Sequence, residues 1–268
     1  MDRRVRILLA VVAVTQAVLA VLWVFQVPAA IGLWPFPGRT PLSNIFIGSI
    51  FLAAAASTGW CLWARSDRAM TGIALDYITI LVPFTIFSFA QVADGAGTDV
   101  VAFGVVCVAG VLVGVGLLRW SLGHPWRDPR PTPRPVLWSF AIFVVALILV
   151  GGALVVGVPA ILPWTITPEL STLFGCMFLG AAAYFAYGLL DPRWENAGGQ
   201  LAGFLAYDIV LIVPFLTRLP TVDEKLRINL VVYTAVVTLS AVLAVWYLAI
   251  HPGTRIWPRP AGSDRPPD

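Results

Sequence analysis

Charge is what this chain of 268 residues has least of: Asp, Glu, Lys and Arg make up 12% of it, against about 25% in a soluble domain. Disordered chains and nucleic-acid binders need abundant polar or basic residues, so that scarcity excludes both. Three cysteines cannot staple a disulfide scaffold, and a collagen-like repeat is absent. There is no Gly-rich phosphate loop, no His-Glu-x-x-His pair and no Gly-x-Ser-x-Gly elbow, which removes the sequence signatures of nucleotide, zinc and serine chemistry. What is present in excess is apolar: 59% of residues, with a mean hydropathy of +0.87. A soluble fold has no interior large enough for that fraction. The composition predicts a polytopic, all-α transmembrane protein.

A helix needs about 20 mostly apolar residues to cross the hydrocarbon layer. Eight such runs stand out: Ile7 to Phe25, Ile45 to Ala64, Met70 to Val92, Val100 to Leu118, Val136 to Val158, Leu170 to Leu190, Leu201 to Thr217 and Ile228 to Ile250. Only the third and the seventh contain a charge, Asp76 and Asp208. Short cytoplasmic loops retain Lys and Arg. With the N-terminus inside, thirteen of the seventeen basic residues are cytoplasmic, and Arg39, Arg218, Lys225 and Arg227 stay outside. The expectation is a multi-pass protein of the plasma membrane with both termini in the cytoplasm. The net charge of +3 then reflects topology and implies no nucleic-acid partner. The basic start of the first span resembles a secretory signal. Its length, and a counterpart in mid-chain, predict a retained helix instead.

That counterpart belongs to an internal repeat. Val27-Pro28-Ala29 is echoed by Val158-Pro159-Ala160, Trp34-Pro35-Phe36 by Leu162-Pro163-Trp164, and Thr40-Pro41 by Thr167-Pro168. The small-residue run Phe51 to Ala56 matches Phe178 to Ala183, Val82-Pro83-Phe84 matches Val213-Pro214-Phe215, and His124-Pro125 matches His251-Pro252, all at offsets between 126 and 131. The reading is two tandem parallel four-helix repeats related by a pseudo-twofold axis along the membrane normal, because an even number of spans enters the membrane in one direction. Residues 1–121 form the first repeat, 122–135 a cytoplasmic linker, 136–251 the second repeat and 252–268 a disordered cytoplasmic tail. Thr40 and Thr167 are placed to cap the helices that follow, with proline in the first turn. Trp34, Phe36 and Trp164 are expected at headgroup level as aromatic anchors.

The stretch from Trp34-Pro35 through Thr40-Pro41-Leu42 into Gly48 and the run Ala53 to Ala56 resembles a set of uncharacterised bacterial integral membrane proteins. That set has no assigned activity, so the resemblance implies a polytopic membrane protein and carries no site residue across.

An intramembrane carboxylate costs at least about 2.5 to 3.5 kcal/mol on insertion scales and is a functional candidate by default. Asp76-Tyr77 and Tyr207-Asp208 occupy related places before Pro83 and Pro214, with the order of acid and phenol reversed. One residue of slip turns a side chain by about 100° around a helix, so the two acids are analogous sites rather than identical ones. With no Lys or Arg inside any span, the available donors are Tyr77, Thr79, Tyr207, Tyr233 and Thr234. Asp76, Tyr77, Pro83, Tyr207, Asp208 and Pro214 are therefore the candidate ion or substrate pathway, the prolines as kinks that free a carbonyl. The alternative for the carboxylates is an interhelical hydrogen bond, contributing about 0.6 kcal/mol. His124 and His251 are matched and would suit a bis-imidazole ligand set; ordinary helix C-capping explains them as well. Cys61, Cys107 and Cys176 lack metal spacing and read as packing residues; no metal or cofactor is expected. Gly110, Gly114, Gly116, Gly175 and Gly180 permit close helix approach.

Three functions fit these residues. The first is a carrier of a small solute or of protons that uses the aspartates. The second is a structural or accessory subunit without transport or catalysis, and the third a membrane-embedded lipid enzyme or haem carrier. The surroundings in each case are membrane lipid, with a homo-oligomer or a membrane partner subunit as the protein partner.

Overall fold

The computed structural model describes residues 3–256, all-helical with no strand among them. Nine α-helices follow in order: α1 (Arg3–Val24), α2 (Pro28–Ile31), α3 (Pro41–Ala64), α4 (Met70–Ala93), α5 (Thr98–Leu122), α6 (Arg134–Val155), α7 (Pro168–Leu190), α8 (Trp194–Arg218) and α9 (Glu224–Val245). A π-helical turn, Trp246–Ile250, extends α9. Eight of these, all but the single turn α2, are long and apolar enough to cross a membrane. The chain is thus a polytopic membrane protein by length and composition.

The helices pair in sequence, α1 on α3, α4 on α5, α6 on α7 and α8 on α9. Two further contacts, α3 against α8 and α4 against α7, join the pairs, while α3 and α4, like α7 and α8, touch little. This leaves α3, α4, α7 and α8 inside and α1, α5, α6 and α9 outside. Burial is highest in α3, α7 and α8, while α4 is no more buried than α9. Two-thirds (67%) of the most apolar stretch of α7 is buried, against 17% in α1 and α6. Exposed Leu, Ile and Val line the outer helices, as a lipid-facing surface requires.

The helices begin earlier than the apolar runs suggest. Pro41 and Pro168 stand in the first turns of α3 and α7, where a missing N–H costs nothing. Thr167 accepts from Leu170 N at 3.2 Å as a cap; Thr40 makes no such bond. The largest shift is in α8, which starts at Trp194 rather than Leu201. The segment Trp194-Glu-Asn-Ala-Gly-Gly-Gln is polar, yet it is helical and buried because each polar side chain finds an internal partner. Asn196 donates to the Asp191 carbonyl at 3.2 Å, Gln200 donates to the Tyr184 carbonyl, and the Glu195 carboxylate accepts from Arg127 N at 2.8 Å and Asp128 N at 2.7 Å.

Those last two bonds dock the linker. Thr132 N donates to Pro192 O and Trp194 N to Arg130 O, both at 2.9 Å. The Trp126 indole donates to Asp191 at 2.7 Å, with the guanidinium groups of Arg68 and Arg193 on its ring. Burial pushes the Asp128 carboxyl up, and hydrogen bonds and charge from Arg130 outweigh it, leaving the group below its ordinary range. At the end of α9, Ile256 N returns to Leu248 O at 2.8 Å and Thr254 is buried against Tyr247. The start of the expected tail is therefore a folded turn; residues 257–268 of it lie outside the described residues.

The expected aromatic anchors turn inward. Trp34 packs edge-on against Trp23, Phe84 and Phe103, and Phe36 is buried beside it. Trp164, 3% exposed, packs on Phe46 and Phe215 and donates its indole N–H to Ser43 at 3.2 Å. The loops fold over the bundle because the inner helices leave an aromatic-lined depression there, which buries more ring surface than the headgroup layer would.

Glu195→Ala removes the acceptor of two buried backbone donors, a loss of about 1–3 kcal/mol. Trypsin applied to the protein in nanodiscs is expected to cut after Arg127 about tenfold faster in this variant, since cleavage follows the population of the open linker. An unchanged cleavage rate would show that Glu195 does not hold the linker.

Candidate functional site

Four inner helices that pair across the molecule but barely touch within each half enclose a cavity of about 260 Å³. Its walls come from α3 (Ala54, Ser57), α4, α7, α8 and, on one side, α6 and α9. Most of the lining is aliphatic or aromatic. The polar groups are Asp76, Ser57, Gln200 and the phenols of Tyr77, Tyr184, Tyr207 and Tyr233. Among the described residues Asp76 is the one acid, and no Lys, Arg or His lines the cavity.

Asp76 reaches this space because α7 presents Gly180 opposite. A Cβ at Gly180 would come within 2.5 Å of the Asp76 Oδ1 and would also meet Ile80. Only a residue without a side chain lets the carboxylate and α7 share that level. The Asp76 carboxylate has no hydrogen-bond partner among the described residues; it opens into the cavity. The neighbouring phenol is held elsewhere: the Gln16 amide of α1 donates to the Tyr77 hydroxyl at 2.5 Å.

Asp208 is placed differently. It is fully buried, accepts from the Ser240 hydroxyl of α9 at 2.6 Å, and does not line the cavity. The residue of α8 that does is Tyr207, stacked on Phe204 and packed against Phe46. The reversed order of acid and phenol accounts for this, since about 100° separates adjacent side chains on a helix. Asp76 and Tyr207 face the same space, and Asp208 faces the α8–α9 seam. The structure thus brings together Asp76, Tyr77 and Tyr207 of the sequence candidates and leaves Asp208 apart.

Pro83 and Pro214 lie within continuous helices and outside the cavity lining. The histidines have separate local partners. His124 Nδ1 lies 2.9 Å from the Trp120 carbonyl and its Nε2 3.8 Å from Asp67. His251 Nδ1 lies 3.1 Å from the Thr254 hydroxyl, its ring against Tyr247. No group of three or more His, Cys, Asp or Glu is arranged for a metal ion among the described residues. Cys61, Cys107 and Cys176 are free and buried.

Three members of the site carry weak signals in the sequence. Gln200 is 1% exposed, its Oε1 without a partner, and its place in a polar, Gly-rich stretch reads as loop. Ser57 donates to the Gly199 carbonyl at 3.1 Å across the α3–α8 contact. Tyr184 has no charged neighbour in sequence to mark it. Behind Phe178 of the lining, rings pack together: Phe46 lies 4.6 Å from Phe174, 5.5 Å from Phe178 and 5.8 Å from Trp164 between centroids. Beside Gln200, which donates to the Tyr184 carbonyl, the Trp60 indole donates to the Glu195 carbonyl.

No protein-family model matches this chain, and neither a curated protein nor a solved structure matches it.

Ser240→Ala is expected to lower stability by about 0.6 to 1.7 kcal/mol, the range of interhelical hydrogen bonds in membranes. Reversible unfolding in mixed micelles measures it; no change would mean that the Asp208 contact contributes nothing. Gly180→Leu drives a side chain into Asp76 and Ile80. Overpacking of this kind costs about 1–3 kcal/mol, read as a lower unfolding midpoint of the purified protein.

Proposed function

We propose that this protein is a carrier of a small solute, with the cavity between α3, α4, α7 and α8 as its binding site and Asp76 as the group that charges it. One observation carries the reading: an intramembrane carboxylate without a protein partner opens into an internal cavity. A structural carboxylate buries itself in a hydrogen bond, as Asp208 does with Ser240. Asp76 instead keeps its oxygens available to a ligand or a proton, at the cost that an unanswered acid carries in hydrocarbon. The four phenols and Gln200 supply orientation, and the aliphatic walls exclude water.

The carrier is built from two tandem four-helix repeats with a pseudo-twofold axis through the cavity. Several contacts support this. The α1–α3 and α6–α7 seams use the same notch: a Cβ on Gly48 would strike Val24 and the Ala20 carbonyl, and one on Gly175 would strike Val155 and the Gly151 carbonyl. Gln26 and Gly157, at φ 55° and 75°, end α1 and α6 in the same left-handed turn, with Val27 N bonded to Leu22 O and Val158 N to Ala153 O. The pairing of helices is unchanged when the halves are exchanged. In this register Tyr207 is the counterpart of Asp76, so the site on the axis is asymmetric, with one acid facing one phenol. Both termini are cytoplasmic in a plasma membrane, on the balance of Arg and Lys between the loops.

Native mass spectrometry of the protein released from nanodiscs tests the reading. Wild type and Asp208→Asn are expected to carry a small-molecule adduct that Asp76→Asn loses. A wild type that carries none, and co-purifies with another polypeptide whatever the residue at 76, would replace the carrier by an accessory subunit.

A further inference from the structure

The cavity is walled on one flank by the outer helices α6 and α9. These pack on α7 and α8, which touch each other little, so the space between α7 and α8 is bounded by α6 on one side and α9 on the other. The rim residues on those outer helices are at the molecular surface: Ala146 on α6 is exposed, as are Val232 (54%) and Val236 (39%) on α9. In a membrane that surface meets lipid chains rather than water. On the opposite flank, Gln16 of α1 reaches across to Tyr77 of α4 and bars the corresponding passage. The exposed rim of the cavity thus lies on the α6–α9 flank, among residues that face lipid.

We propose that the solute is a lipophilic monocation, an amine or quaternary ammonium on an apolar body, which reaches Asp76 laterally from the bilayer between α6 and α9. The proposal rests on the reading of the cavity as a solute site and names the class of solute. Charge complementarity selects it. Among the described residues the cavity has one carboxylate and no Lys, Arg or His, so an anion would meet a negative charge that no cation offsets, and a cation is the solute that pairs with it. Four tyrosine rings line the same space, and aromatic faces attract ammonium groups. Aliphatic and phenylalanine side chains make up most of the rest, which suits an apolar body. A volume of about 260 Å³ is just below the usual range of small-molecule sites and suits a body of about one substituted ring. The solute enters from the membrane, because the exposed rim of the cavity faces lipid.

The test uses the full chain in nanodiscs and radiolabelled phenyltrimethylammonium, with tert-butylbenzene as its uncharged isostere and benzenesulfonate as its anionic counterpart. Saturable binding of the cation above protein-free nanodiscs is expected, with competition by unlabelled cation at least about tenfold stronger than by either counterpart, the discrimination that one paired charge supplies. Asp76→Asn is expected to weaken binding about tenfold or more and Asp208→Asn to leave it unchanged, each variant checked for a monodisperse elution profile. Val236→Trp, a change on the exposed rim, is expected to slow association without changing the folded state. Equal competition by tert-butylbenzene on wild type would overturn the proposal even if Asp76→Asn failed to fold. So would a Val236→Trp association rate equal to wild type, which would exclude the lateral route. If the cation fails while mass spectrometry shows an Asp76-dependent neutral or anionic adduct, the class of solute is wrong and the carrier reading stands. If no adduct and no ligand depends on Asp76, both fall.

Discussion

A polar group inside hydrocarbon has no water to turn to, and the structure can be read from how each such group is answered. Gln16 is answered by Tyr77, Asp208 by Ser240, Gln200 by a carbonyl of the helix before it, and Glu195 by two backbone amides of a distant linker. The first three bonds cross between helices, so each also fixes which helices are neighbours, and the last ties the linker to α8. Apolar packing supplies most of the contact area but selects partners weakly, because lipid chains offer the outer helices an equally apolar surface. The polar pairs and the glycine notches are what make one arrangement better than the alternatives.

Against that background Asp76 differs from Asp208 and Glu195, since no described residue donates to its carboxylate. Its carboxylate is inside the bundle, is given room by Gly180, and is left without a donor. The surrounding phenols and aliphatic chains make a place where charge is expensive unless a counter-charge or a proton arrives with the ligand. The same logic separates the two acids functionally. One stabilises a seam, and the other stands at the centre of a space that the helix pairing leaves open.

The two halves use the same notches and turns yet differ where they meet. Acid and phenol exchange places between α4 and α8, and a glutamine seals one flank where Leu147 and Val236 border the other.

The eight spans were legible from composition, because the thickness of a bilayer sets a length of apolar helix that few other demands imitate. Proline in the first turns and the intramembrane position of both acids were equally plain. The start of α8 was not, since Glu195, Asn196 and Gln200 look like loop until their partners in the linker and in α7 are in place. Nor was the inward turn of Trp34 and Trp164, whose composition suits a headgroup layer as well as an aromatic core. Sequence determined that Tyr207 and Asp208 point about 100° apart on α8. Only the tertiary structure decided which of them faces a cavity, because helical period fixes the angle between side chains on one helix and says nothing about which neighbour stands at that angle.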